Sequence, residues 1–565
     1  MKQLIECVPN ISEGRDKAKI NAIASVVETV EGVKLLNVDQ GAATNRTVIT
    51  FVGEPEAVIE AAFLLIKKAA KLIDMSKHSG EHPRFGATDV CPLIPIANID
   101  MDEVAKYAHK LGERVGKELA ISGYFYENAC KEEKRRNLAN CRSGEYEGLH
   151  KKLADPAWIP DFGPHEYNDR VKYAGVTAIS ARDFLVAYNI NLNTTSVRRA
   201  NSIAFDLREN GRVMREGDPI TGEIVLDANG EPKREQGALK AVKGIGWFIE
   251  EYGIAQVSLN LNNISITSMH EAFDAACEKA TERGIRVTGS ELIGLVPLKA
   301  MLAAGKYFLR KQQRSVGVSE SELIKIAIKS LGLDDLAPFD ANERIIEYKM
   351  RQEDASKKLV DMTLVEFADE TASESPAPGG GSIAAYAGVM GASLATMVAN
   401  LSSHKRGWDD RWEEFSKWAE KGQDIKDELL HLVDEDTASF NAIMDAFALP
   451  KESDEEKTAR SAAIQAATKY AIQVPFRVME VAHSSFELIK AMAEIGNPNS
   501  VTDAGVGALC ARTAVLGAHL NVKINAGGLK DKVFLADVLA KAKKLEEEAI
   551  VMENEVLAIV ESKIS

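Results

Sequence analysis

The hydrophobic periodicity of this 565-residue chain changes once, near residue 350. Before that point, short apolar stretches with a two-residue period alternate with stretches in which apolar residues recur every three to four positions. This mixture predicts strands and helices in one region. After that point only the helical period continues. The chain is therefore predicted to be α+β over its first part and all-α over the rest, where the helices should form a bundle.

The α+β part contains the same order of elements twice. A β-α-β-β-α-β succession is predicted on each side of about residue 180, and this order is typical of a ferredoxin-like sandwich. In the second copy, residues 213–238 are rich in Gly, Asp, Glu and Pro and are interpreted as a surface excursion. We therefore expect two tandem ferredoxin-like α/β sandwiches, then a polar linker and a helical bundle domain. Their predicted bounds are 1–180, 181–350, 351–358 and 359–565.

Composition and charge narrow the class of protein. The net charge of −15 argues against a surface that binds nucleic acid in general. The first residues lack the pattern of a signal peptide. Six scattered cysteines without C-x-x-C spacing argue against a zinc knuckle or a disulfide framework and favour the reducing cytoplasm. The apolar stretch 383–399 falls short of a membrane span of ~20 residues and is interpreted as a closely packed internal helix.

A loop at residues 77–86 concentrates groups that could carry chemistry. It contains two histidines, and His82 stands between Glu81 and Pro83. An imidazole with a pKa near ~6.5 can take and return a proton near neutral pH. From the loop alone, a polar surface loop with an incidental histidine is the more frequent explanation. Arg84 in the same loop is a candidate substrate contact.

Two other polar segments flank predicted strands. Asn10 leaves the first strand, and Asn45 and Arg46 precede the third. If the predicted sheet order holds, all three lie near one edge of the sheet and could contact substrate. The alternative is that they are turn residues.

The all-α part has its own candidates. Gly379, Gly380 and Gly381 open an apolar helix, where backbone N–H groups can bind an anion, although a flexible helix entry is the commoner explanation. Asp436 lies at helical spacing on the same face as four apolar residues, Leu429, Val433, Phe440 and Ile443. A carboxylate on a core-facing stripe is costly unless it is paired or used, and desolvation would suit it to proton transfer. A buried ion pair is the alternative.

These motifs resemble the formimidoyltransferase-cyclodeaminase family over essentially the whole chain. The first ~350 residues are similar to glutamate formimidoyltransferase, and the helical part resembles formimidoyltetrahydrofolate cyclodeaminase. The words that carry the first resemblance are Cys7-Val8-Pro9-Asn10, Thr44-Asn45-Arg46-Thr47-Val48, Gly80-Glu81-His82-Pro83-Arg84, Asp89-Val90-Cys91-Pro92, Pro160-Asp161-Phe162-Gly163-Pro164, Gly244-Ile245-Gly246-Trp247 and Gly294-Leu295-Val296-Pro297-Leu298. The second rests on residues 378–382, 433–440 and 521–525.

The resemblance implies a reaction in two steps. The formimidoyl group of N-formimidoyl-L-glutamate passes to N5 of tetrahydrofolate, releasing glutamate, with His82 as acid and base. The product 5-formimidoyltetrahydrofolate then closes to 5,10-methenyltetrahydrofolate and releases ammonia, with Asp436 as the catalytic aspartate. The resemblance also implies that these two reactions belong to the pathway of histidine degradation. An alternative is a glutamate formimidoyltransferase alone, with a non-catalytic helical assembly domain.

The resemblance also implies the binding residues and partners. The family's folate-binding loop falls on 163–175, which includes Gly163, Pro164, His165, Glu166, Tyr167, Asn168 and Gly175. By charge alone, Lys405 and Arg406 are candidates for holding the glutamates of a polyglutamylated tetrahydrofolate, with a solvated basic corner as the alternative. The co-substrate is tetrahydrofolate, with no metal. A homo-oligomer is expected, without nucleic-acid or membrane partners.

Overall fold

The structure of the protein is a computed structural model that describes residues 3–41, 45–79, 84–218, 221–351 and 358–564. Contacts divide the chain into two compact units. The α/β unit comprises Met1–Pro297 and Leu333–Met350, and the helical unit comprises Leu298–Gly332 and Arg351–Ser565. The predicted combination of an α/β part and an all-helical part is confirmed.

The first sheet of the α/β unit has seven strands. They are β1 (Leu4–Cys7), β2 (Asn10–Ile11), β3 (Val33–Gly41), β4 (Arg46–Gly53), β5 (Thr88–Ala97), β6 (Gly123–Glu127) and β7 (Thr177–Ala181). Their order is β3-β4-(β1, β2)-β5-β7-β6, because β1 and β2 both pair antiparallel with β4 and β5. β7 runs parallel to both β5 and β6. Asn10, the first residue of β2, pairs with Val48 of β4 and Val90 of β5.

Six helices accompany this sheet: α1 (Lys17–Ala24), α2 (Pro55–Leu72), α3 (Met101–Leu119), α4 (Leu138–Arg142), α5 (Leu149–Ala154) and α6 (Asp169–Ala174). Pro55 suits the first turn of α2, where its missing N–H costs nothing. Asp100 caps α3 by accepting a hydrogen bond from the backbone of Glu103 at 2.8 Å. The buried faces of α2 and α3 form the core with the sheet.

The second sheet is smaller. Chain order gives β8 (Val186–Leu192), α7 (Val197–Leu207), β9 (Arg212–Val213), β10 (Arg234–Glu235), β11 (Val242–Ile249), β12 (Ile254–Leu261), α8 (Met269–Thr281) and β13 (Val287–Ile293). The strand order is β11-β12-β8-β13, with every pair antiparallel. The pair β9–β10 forms a separate two-stranded ribbon at the base of the excursion, most of whose described residues are exposed.

Four helices follow: α9 (Leu298–Lys311), α10 (Glu320–Leu331), α11 (Ala341–Arg344) and α12 (Ile346–Arg351). α9 and α10 group with the helical unit. One reason is Gly317 between them, whose carbonyl oxygen accepts hydrogen bonds from the side chains of Asn400 and Gln423. These two helices therefore belong to the helical unit, although they precede the predicted boundary near residue 350.

The remaining helices are α13 (Leu364–Thr371), α14 (Gly380–Ser403), α15 (Trp412–Ala448), α16 (Asp454–Ile495), α17 (Val501–Ala526) and α18 (Lys532–Ile564). Small residues let α14 and α17 approach closely, since a Cβ atom on Gly391 would lie 2.9 Å from Gly507 O. Within the described residues, α14 is the one helix long and apolar enough to cross a membrane, and 61% of its apolar window is buried inside the protein. The helix has 24 residues, longer than the apolar stretch 383–399, because it also includes residues 380–382 before that stretch and residues 400–403 after it.

Candidate active sites

A buried ion cluster lies where β2, β4 and β5 meet. Arg46 Nε donates to Asn10 Oδ1 at 3.1 Å, and Arg46 Nη1 donates to Asp89 Oδ2 at 2.5 Å. Arg142, the last residue of α4, binds the same Asp89 oxygen, and its buried Nε has no hydrogen-bond partner among the described residues. Two guanidiniums share one carboxylate, so the cluster carries a net positive charge and suits an anionic group.

Arg142 and Asp89 were not singled out as site residues by the sequence. They are 53 positions apart, and Arg142 lies in a five-residue helix that has no strong periodic signal. Only the fold brings the two side chains together.

Both ends of the Asn45 side-chain amide bind backbone groups. Its Oδ1 accepts a hydrogen bond from Gly14 N at 2.9 Å, and its Nδ2 donates to Ser79 O at 2.9 Å. The backbone φ of Asn45 is 49°, in the left-handed region that asparagine tolerates. Asn45 therefore joins the exit of the first strand to the histidine loop, and at 8% exposed it presents little surface to a substrate.

His78 and Arg84 hold the two described segments of the histidine loop, residues 77–86, in place by hydrogen bonds. His78 Nε2 lies 2.9 Å from Asn45 O, and Arg84 Nε donates to His78 Nδ1 at 3.2 Å. This pattern fixes a neutral imidazole with its proton on Nε2, and burial lowers the pKa of His78. The Arg84 guanidinium makes a bidentate pair with Glu147 at 2.8 and 2.9 Å. Arg84 is 7% exposed, so it stabilises the loop in this structure and has little surface free for substrate.

His82 lies outside the described residues, together with Gly80, Glu81 and Pro83. The described residues on either side of this gap, Ser79 and Arg84, are both held by the hydrogen bonds above. The role predicted for His82 stays a prediction.

The predicted folate loop, 163–175, is attached to the histidine loop. Gly175 forms a β-bridge with Gly86, and a Cβ atom on Gly175 would lie 2.3 Å from Phe85 O. Gly163 has a φ of +79°, and its Cβ would meet Ile121 O at 2.2 Å. Both glycines are required by close backbone approach. The residues between them that were predicted to bind folate are partly or largely exposed: Pro164, His165, Glu166, Tyr167 and Asn168.

In the helical unit, Asp436 of α15 lies at the N-terminus of α14. Ser382 Oγ donates to Asp436 Oδ2 at 3.1 Å, and the backbone N–H of Ser382 lies close enough to lower the pKa of this carboxyl. The N-cap residue of α14, Gly379, has no side chain to do this, so Asp436 caps the helix from a neighbouring one. Burial raises the pKa of Asp436, and the hydrogen bonds from Ser382 oppose this shift.

Gly381 makes room for this carboxylate. A Cβ atom on Gly381 would lie 2.2 Å from Asp436 Oδ1, far inside contact distance. At neighbouring Gly380 the nearest atom to a Cβ, Asn521 Nδ2, would be 3.6 Å away. The glycine run therefore has a specific packing function at Gly381, beyond a flexible helix entry.

Asp436 borders a cavity. Its other lining residues are Pro376, Ala377, Gly379, Gly380, Gly381, Thr437, Ser439, Phe440, Ile443, Ala471, Asn521 and Asn525. Leu429 and Val433 are fully buried, as predicted, but Phe440 is 41% exposed, so the expectation that it faces the core is wrong. The apolar stripe of α15 leaves the core one turn after Asp436 and becomes the cavity wall.

Lys405 and Arg406 do not share this cavity. They follow the C-terminal end of α14, whereas Gly380 begins the helix. At ~1.5 Å per residue, the two ends are roughly 35 Å apart. Lys405 Nζ lies 4.0 Å from the ring centroid of Trp408. Their predicted contact with the glutamates of the folate, away from the reacting atoms, stays a prediction.

Among the described residues, no group of three or more His, Cys, Asp or Glu side chains is arranged to hold a metal ion. Both candidate sites are built from hydrogen-bonding and charged side chains.

Comparison with known proteins covers both units. Three family models match: the N-terminal subdomain of the formiminotransferase domain over residues 4–182, the formiminotransferase domain over 187–351 and formiminotransferase-cyclodeaminase over 363–544. Formimidoyltransferase-cyclodeaminase of Gallus gallus is 41% identical over 563 residues, 100% of both chains. Glutamate formimidoyltransferase of Streptococcus pyogenes is 38% identical over 55% of this chain and 94% of its own. Methenyltetrahydrofolate cyclohydrolase of Methylorubrum extorquens is 38% identical over 36% of this chain and 98% of its own.

Together, the fold and these matches define an enzyme in which a transferase domain is fused to a cyclodeaminase domain. The chain belongs to the formimidoyltransferase-cyclodeaminase family.

Proposed function

We infer that the chain catalyses two consecutive folate reactions. It transfers the formimidoyl group of N-formimidoyl-L-glutamate to tetrahydrofolate, releasing glutamate, and then cyclises 5-formimidoyltetrahydrofolate to 5,10-methenyltetrahydrofolate with release of ammonia. The observation that carries this proposal is the full-length match to formimidoyltransferase-cyclodeaminase, in which both domains are present. Each unit also has its own candidate site.

For the transfer we propose that His82 is the acid and base. It would take the N5 proton of tetrahydrofolate as N5 attacks the formimidoyl carbon, and return it to the departing glutamate nitrogen. The Arg46–Asp89–Arg142 cluster supports binding of an anionic substrate nearby, because its net charge is positive and Arg142 Nε is unpaired among the described residues. The 163–175 loop, joined to the histidine loop through Gly86, would hold the folate.

For the cyclisation we propose that Asp436 moves the proton. N10 attacks the formimidoyl carbon, and the proton of N10 passes to the Asp436 carboxylate. The same proton then goes to the amino nitrogen of the adduct, which leaves as ammonia, and the C=N⁺ bond of the methenyl product remains. Burial, which raises the pKa of Asp436, supports this role because it brings the carboxyl closer to the pH at which it must exchange protons.

The direct test supplies the purified protein with N-formimidoyl-L-glutamate and tetrahydrofolate. Methenyl-folate absorbance and ammonia should both appear, in equal amounts. Glutamate release without ammonia would favour the alternative, a transferase with a non-catalytic helical assembly domain. Release of neither product by folded protein would contradict the proposed function.

We also propose a homo-oligomer. α14 exposes Met390, Met397 and Leu401, and α17, which packs against it, exposes Val506 and Leu509. Exposed apolar residues on two helices that pack together support an association surface here. Sedimentation of the full chain should give a mass above the 61.5 kDa of one chain. Met397→Lys should lower the sedimenting mass, because it places a charge on this surface.

The fold type of the two sheets, the cellular compartment, the pathway and the form of the folate are proposals as well. We propose that both sheets are ferredoxin-like sandwiches, because β3-β4-(β1, β2)-β5 and β11-β12-β8-β13 follow the same order of second, third, first and fourth strand. We propose that the enzyme works in the cytoplasm in histidine degradation, and that its tetrahydrofolate is polyglutamylated.

A further inference from the structure

Pro475 lies inside the long helix α16. A proline has no backbone N–H, so the carbonyl oxygen four residues earlier loses its helical donor. That carbonyl belongs to Ala471, which lines the Asp436 cavity. Asn525 of α17 replaces the missing donor, since its Nδ2 donates to Ala471 O at 2.7 Å.

This bond determines which way the Asn525 amide points. A carbonyl oxygen can only accept, so the NH₂ group must face Ala471 and Oδ1 is the end left over. One turn earlier on α17, Asn521 Nδ2 donates to Gly517 O at 3.0 Å, which fixes that amide in the same manner. In the described part of the chain, no hydrogen-bond donor reaches either Oδ1.

The polar side chains named above thus offer acceptors to the cavity. Asp436 provides a carboxylate and the two asparagines provide amide oxygens, while Phe440 and Ile443 form an apolar wall. No lysine, arginine or histidine is among its described lining residues. Such a site is complementary to a cationic group rich in N–H donors, and an amidine, which is protonated at neutral pH, is such a group.

We infer that Pro475 is a positioning residue for the cyclisation: by removing an N–H from α16 it orients Asn525, whose Oδ1 then accepts a hydrogen bond from the protonated amidine of the substrate. This inference rests on the proposed function of the helical unit. Asn525 then contacts the substrate directly, and Pro475 acts on the reaction by fixing the orientation of the Asn525 amide.

The test compares Asn525→Ala, Pro475→Ala and the double variant in the full chain, with 5-formimidoyltetrahydrofolate supplied directly. Loss of one hydrogen bond to a charged group should lower kcat/KM for ammonia release roughly 10- to 100-fold in Asn525→Ala, mainly by raising KM. Pro475→Ala should raise Tm, because a helical hydrogen bond is restored, and yet raise KM, because the new N–H competes for Ala471 O. The double variant should match Asn525→Ala in KM, because Pro475 acts only through Asn525.

Asn400→Ala is the matched control. Asn400 Nδ2 also donates to a backbone carbonyl, Gly317 O at 2.8 Å, but Asn400 does not line the Asp436 cavity. Its removal should leave KM unchanged. If Asn525→Ala unfolds because Ala471 O is left unsatisfied, the double variant keeps the test decisive, since the restored helical N–H satisfies that carbonyl.

An unchanged KM in the double variant would overturn the role of Asn525. An unchanged KM in Pro475→Ala alone would overturn the role of Pro475. Failure of the proposed function is distinct from both, since unaltered protein would then release no ammonia from 5-formimidoyltetrahydrofolate at all.

Discussion

The two candidate sites handle charge in opposite ways. In the α/β unit, loops are held by buried and half-buried ion pairs, and the Arg46–Asp89–Arg142 cluster retains a net positive charge. In the helical unit, one carboxylate caps a helix and the described cavity lining includes no cationic side chain. The difference matches the proposed substrates, since formimidoyl-glutamate carries carboxylates and 5-formimidoyltetrahydrofolate presents a cationic amidine. The α/β unit therefore provides a positively charged site for the transfer, and the helical unit provides a site without cationic side chains for the cyclisation.

The largest effect is expected at His82. His82→Ala should lower the transfer rate about 10²- to 10⁴-fold, because a positioned acid and base is removed. Ammonia release from supplied 5-formimidoyltetrahydrofolate should continue at the parent rate. His431→Ala, an exposed histidine of the helical unit, serves as the control and should leave both rates unchanged. Near-normal transfer by folded His82→Ala would remove this residue from the mechanism.

Gly381→Ala should lower ammonia release roughly 100-fold, the lower bound for loss of a positioned proton carrier. The added methyl would collide with Asp436 Oδ1 at 2.2 Å and displace the carboxylate. Gly505→Ala, on α17, is the control, because its Cβ meets nothing closer than 3.4 Å and Gly505 does not line the cavity. Equal rates in the two variants, measured with supplied intermediate, would mean that the exact position of Asp436 is unimportant.

The scaffolds also differ in what their sequences reveal. Helical spacing identifies Asp436 among apolar residues and predicts that the part of the chain after about residue 350 is helical, as observed in the described residues. The same periodicity fails for Phe440, because spacing cannot tell a core from a cavity wall. In the α/β unit, the strands Arg46–Gly53 and Thr88–Ala97 follow from their short apolar runs. The Arg142–Asp89 pair does not, since it depends on how loops fold back over a sheet.

A smaller effect is expected for Arg142→Gln, which should raise the KM for formimidoyl-glutamate about 10-fold. The change removes the guanidinium whose Nε has no partner in the described chain, and Asp89 keeps Arg46. Loss of a charge-assisted hydrogen bond accounts for a change of roughly this size. Arg136→Gln, which removes an exposed pair with Glu133, should leave KM unchanged. Similar KM values for these two variants would contradict the anionic-substrate role of the cluster.

The smallest effect concerns a buried carboxyl that has no place in the proposed mechanism. Burial is the main cause that raises the pKa of Glu6 from 4.5 to about 7. The folded chain then holds the proton more firmly than the unfolded chain, so this stabilisation is complete below about 4.5 and is lost as pH rises through about 7. Glu6→Gln should therefore melt a few degrees above the parent at pH 8 and by a smaller margin at pH 5. A difference in Tm that is the same at both pH values would contradict the raised pKa.

The most direct test of two independent sites is the product spectrum of Asp436→Asn. An asparagine keeps the shape of the side chain and can still accept the hydrogen bond from Ser382 Oγ, but it cannot take a proton. Given N-formimidoyl-L-glutamate and tetrahydrofolate, this variant should release glutamate at the parent rate and accumulate 5-formimidoyltetrahydrofolate, while ammonia release falls about 10²- to 10⁴-fold. Its Tm should hold or rise, because a buried charge is replaced by a neutral amide. Ammonia at the parent rate would show that Asp436 is only a helix cap, and loss of both activities in a folded variant would contradict the two-site account.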